Sequence, residues 1–88
     1  MSEGGAPDRY DEQLVAERAR AHDPGLPAEL ALELAVLAWD HLRAVGELDA
    51  PEVARRLLAD HRSAGATPAT VVARAAVEHC RERGIAPR

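Results

Sequence analysis

Three phrases of the chain place an acid beside a histidine, follow with arginine and close on glycine: DHLRAVG at 40–46, DHRSAG at 60–65 and EHCRERG at 78–84. Imidazoles and carboxylates are the side chains of metal binding and proton transfer, so these repeats are the first place to look for chemistry. A metal site needs three or four ligands converging within about 2.0–2.3 Å of one ion. None of the repeats offers histidines four residues apart, and the single cysteine, Cys80, rules out a CxxC pair. Cys80, His79 and His41 make the best three-ligand set, but neighbours on a helix point about 100° apart. An acid directly before a histidine cannot orient its ring on a helix either, because adjacent residues do not face each other. Serine occurs only at Ser2 and Ser63, and no glycine-rich phosphate loop is present. The spacing therefore points to no metal, no cofactor and no catalytic set, and to a protein that is not an enzyme.

The same residues fit the end of a helix. Each of the four histidines, His22, His41, His61 and His79, falls near the end of a helical segment and continues its apolar stripe. Val15, Ala19 and His22 share a face, as do Leu34, Ala38 and His41. So do Leu57, Leu58 and His61, and likewise Val72, Ala76 and His79, by steps of three and four. A charged histidine or arginine there can donate to open carbonyls and meets the negative end of the helix dipole, while glycine takes the left-handed turn. This predicts raised histidine pKa values. The acid before each histidine is the misfit, expected to face solvent or to pair with an arginine one turn away. Cys80, on the stripe with Val72 and Ala76, reads as a small apolar residue.

Proline and glycine divide the chain into the elements that must position these groups. The sequence predicts an all-α, compact four-helix domain over residues 8–88, with helices at about 8–21, 27–45, 51–63 and 68–83. Residues 1–7 are expected to be a flexible N-terminal segment. Asp8, Asp11 and Glu12 suit the first turn of the first helix, Pro27 the start of the second, and Asp49, Pro51 and Glu52 the start of the third. Thr67 and Pro68 suit the start of the fourth. The second helix carries two apolar stripes, Leu30/Leu34/Leu37 and Leu32/Val36/Trp39, and is expected to be central. The first helix, with only Tyr10, Leu14, Val15 and Ala19 on its stripe, is too thin to be expected to cover the Leu32/Val36/Trp39 side. That makes these three residues the candidate interaction surface, with plain core packing as the alternative.

Composition narrows the function classes. Nineteen alanines, one tryptophan and no phenylalanine make a core that buries little area per residue, which points to self-association. All eleven bases are arginine, the bias of a GC-rich bacterial coding sequence. A net charge of −4 argues against nucleic-acid and anionic-membrane binding. One cysteine and no apolar leader suggest a reducing, cytoplasmic setting. The expected function is a non-catalytic helical protein–protein interaction module (adaptor, accessory subunit or homodimeric assembly protein), with a protein partner or a second copy. The alternative is a helix-turn-helix transcriptional regulator built on the last two helices. There Gly65 and Val71 fit loosely, His61 fits poorly, and only Thr70 and Arg74 are offered to DNA.

Overall fold

Helix starts and stops lie close to the prolines and glycines that punctuate the chain. The computed structural model describes residues 9–87 and contains α1 (Glu12–His22), α2 (Ala28–Val45), α3 (Ala50–Asp60) and α4 (Ala66–Arg83), with a 3-10 turn at Arg62–Ala64. No strand occurs among the described residues, and the architecture is the all-α four-helix domain expected from the sequence. The segment 1–7 and Asp8 lie outside the described residues.

Local chemistry sets the ends. The Asp11 carboxylate accepts from the backbone N–H groups of Gln13 (3.0 Å) and Leu14 (3.2 Å), which fixes Asp11 as N-cap and starts α1 at Glu12 rather than near residue 8. Asp49 does the same for α3 by accepting from Glu52 N–H at 3.1 Å. The return arm of a capping box is not made: the Glu52 carboxylate turns outward to Arg55 and, at 3.0 Å, to Arg56. α4 begins at Ala66, two residues earlier than predicted, with Gly65 rather than Thr67 at the N-cap position. Pro68 is tolerated inside the first turn because N–H groups there have no intrahelical acceptor.

α2 closes at Gly46 (φ 78°), whose N–H reaches the Leu42 carbonyl at 2.8 Å. α4 closes more completely. Gly84 (φ 69°) donates to Arg81 and the next residue, Ile85, donates to Cys80 at 2.9 Å, the paired pattern of a Schellman turn, with Ile85 folded back into the core. α3 stops at Asp60, short of the predicted 63, because the backbone leaves helical geometry at His61 and re-forms as the 3-10 turn before Gly65.

α2 packs against all three other helices, as a central helix should, and so does α4; α1 and α3 flank this pair. α4 is the more deeply buried of the two, through Ala69, Val72, Ala73, Ala75, Ala76, Val77, His79 and Cys80. α2 buries Ala31, Leu34, Ala35, Ala38 and Leu42 along one side. Nine of the nineteen buried apolar residues described are alanines, so the helices meet through small side chains that permit close approach. The narrowest extent of the fold is 16 Å, room for two layers of helices and no third. Among the described residues, none buries the side of α2 that carries Leu32 and Val36.

Candidate functional site

The uncovered side of α2 carries Leu32 (37% exposed) and Val36 (46% exposed). Leu32, Val36 and Leu37, with Glu29 and Glu33, line a shallow apolar depression on that side. Alternation of leucine and alanine along α2 explains why these apolar residues stay outside. The buried face is already filled by Ala31, Leu34, Ala35, Ala38 and Leu42, and Leu32 and Val36 project away from it.

Trp39 shares the stripe in sequence but is half-buried, its indole stacked on Tyr10 at 4.8 Å between centroids with an interplanar angle of 16°. Tyr10 is the connection that sequence reasoning missed. Its hydroxyl donates to the Ala35 carbonyl at 2.6 Å, and its ring meets His79 edge-on at 5.6 Å. Burial pushes the phenol well above its ordinary pKa, so it remains a donor. Tyr10 precedes α1 instead of lying on it, and a helical periodicity cannot place such a residue.

The four histidines are not brought together. His22 is exposed at the end of α1. His41 Nε2 lies 2.7 Å from Asp60, joining α2 to α3, and His61 Nε2 lies 3.2 Å from Glu33, joining α3 back to α2. His79 is buried in α4, and its Nε2 accepts the Asp11 backbone N–H at 3.1 Å. These three are cross-links between helices rather than caps on their own carbonyls. The charged-cap expectation is corrected most clearly at His79. Its pKa is lowered, first by burial and then by Arg83, because a ring that accepts a backbone N–H inside the fold is favoured when neutral. Among the described residues, no three His, Cys, Asp or Glu side chains converge as a metal would require.

The acids before the histidines also find their places. Glu78 and Glu82, one turn apart on α4, both receive Arg18 of α1; the Glu78 contact is 3.3 Å and one Glu82 contact is 3.0 Å. Arg18 holds the Glu82 carboxyl below its usual range. Asp60 receives His41, and Asp40 is exposed. The expected arginine partner is real for Glu78, but it comes from another helix. Cys80 has no exposed surface, and burial pushes its thiol up to about 11.

A second apolar surface lies between α3 and α4. Ala50, Pro51, Ala54, Leu58, Ala66 and Ala69 form a groove of about 540 Å³, with Arg55 and Arg74 at its edge. The face predicted for Leu57 and Leu58 is thus split: Leu57 lies in the core with Val53, and Leu58 lies on the groove with Ala54. Thr70 and Arg74 are exposed on α4, whereas Val72, Ala73, Ala75, Ala76 and Val77 are turned inward.

No family model matches the chain, and neither a curated protein nor a solved structure is significantly similar to it. No helix among the described residues is long and apolar enough to cross a membrane. What the α2 face offers chemically is apolar area to remove from water, bounded by carboxylates.

Proposed function

We propose that this protein is a non-catalytic helical interaction module that works through protein–protein contact on the exposed face of α2. The observation that carries the reading is the exposure of Leu32 and Val36, adjacent on one helix face and continuous with the half-buried Trp39 and Leu37. Two branched aliphatic side chains left in water beside a partly covered tryptophan form a contiguous apolar patch, the kind of surface that marks a contact site. The negative net charge and the single buried cysteine agree with an acidic protein of the cytoplasm that contacts other proteins rather than nucleic acid. The inward turn of α4 leaves few of its side chains for base edges, which favours this reading over a helix-turn-helix regulator.

In-cell photo-crosslinking tests it. A photoreactive residue at position 36 should yield discrete protein adducts that disappear when Leu32→Asp is added, while one at the exposed Glu17 should not. Equal yields at both positions, or adducts indifferent to Leu32→Asp, would remove the α2 face from consideration.

A further inference from the structure

The exposed positions of α2 carry a spacing that the apolar residues alone do not show. Glu29, Leu32, Val36, Trp39 and Arg43 follow one another at steps of three, four, three and four, the spacing of a two-helix seam. Glu29, Leu32, Val36 and Arg43 are exposed, and Trp39 is half-buried at the edge nearest α1. The seam spans about 21 Å at 1.5 Å per residue. Its apolar residues are in the middle, and its two ends carry opposite charge. Arg43 is the only arginine or lysine in α2.

We infer that α2 pairs with α2 of a second copy of the chain, antiparallel and about a two-fold axis at Val36, with Glu29 of each copy bonded to Arg43 of the other. Both charged residues are seven positions from Val36, so a two-fold there sets position 29 opposite position 43, and the ion pair forms twice. A parallel arrangement would instead set Glu29 against Glu29 and Arg43 against Arg43. Isologous pairing is also the commonest way a small soluble chain covers an apolar patch on itself. The remaining acids of that side are Glu33 and Asp40. The Glu33 carboxylate is drawn off the seam to His61, and Asp40 lies along the solvent flank. Their repulsion across the axis keeps the dimer modest in affinity without changing its sense. The inference rests on the reading of α2 as a contact surface and names its occupant.

Sedimentation equilibrium of the full chain tests it, with melting curves as a control because both reversals oppose the helix dipole. The wild type should dimerise. Glu29→Arg and Arg43→Glu should each weaken dimerisation by about tenfold, and the two together should return it to within a few-fold of wild type. A double variant no tighter than the single ones overturns the antiparallel pairing. A wild type that stays monomeric up to about 1 mM overturns self-pairing. A dimer unchanged by every reversal places the interface elsewhere and overturns it too. Failure of the broader contact reading would appear separately, as loss of the position-36 adducts in cells.

Discussion

At the scale of single residues, His79 and Cys80 are neighbours with different duties in one buried place. His79 holds the start of α1 by accepting the Asp11 N–H, and it does so as a neutral ring. An unfolded histidine titrates at about 6.5, and the folded value is lower, so between the two the unfolded chain binds more protons. The contribution of His79 is therefore complete above about pH 6.5 and is lost as pH falls through the folded value. Melting temperatures of wild type and His79→Gln should differ most at about pH 7.5 and converge towards about pH 5. A gap that widens in acid would contradict the assignment. Cys80 should resist alkylation in the folded protein and react only on unfolding, since its thiol is fully covered and pushed up to about 11. Prompt labelling by iodoacetamide under native conditions would show that α4 is less protected than the fold implies. The sequence correctly placed both side chains on the inward stripe of α4. It misjudged the charge of His79, because the burial that lowers its pKa comes from tertiary packing, which the periodicity of α4 alone does not report.

At the scale of elements, the stop and start signals were largely legible. Gly46 and Gly84 close their helices in the left-handed conformation, and Asp49 caps α3 as its position suggested. The errors fall where two signals compete. Asp11 reads as a first-turn acid but bonds Gln13 and Leu14 as a cap, and His61 interrupts a helix whose sequence stop is Gly65. Each device has a predicted cost. Gly46→Ala should cost about 1 kcal/mol, since any side chain is strained at φ 78°, although open space surrounds it. Asp49→Ala should cost about 1 kcal/mol through loss of the bond to Glu52 N–H. Both are measurable by urea unfolding, and a neutral result at either position would mean that the helix end is set by packing instead.

At the scale of the whole molecule, a thin two-layer fold with an alanine-rich core leaves apolar side chains without cover. The sequence pointed to Leu32, Val36 and Trp39 by periodicity, but it could not separate core from surface among them. That separation depends on Tyr10, which lies outside any helix and covers one face of the indole. Trp39→Ala would therefore disturb packing as well as any interface. Val36→Asp, at a half-exposed position, should change stability by no more than about 0.5 kcal/mol. The groove between α3 and α4 was not legible, because the helical step that sets Leu57 and Leu58 on one face does not tell which of them the core takes. The most direct test of the central claim, that the exposed α2 face is a self-contact surface, is a concentration series of amide and indole NMR spectra from about 20 µM to about 1 mM. Shifts should concentrate on residues 29–43, with the Trp39 indole among them, and should be absent in Val36→Asp. Spectra that do not change with concentration, or changes confined to the α3–α4 groove, would contradict the claim.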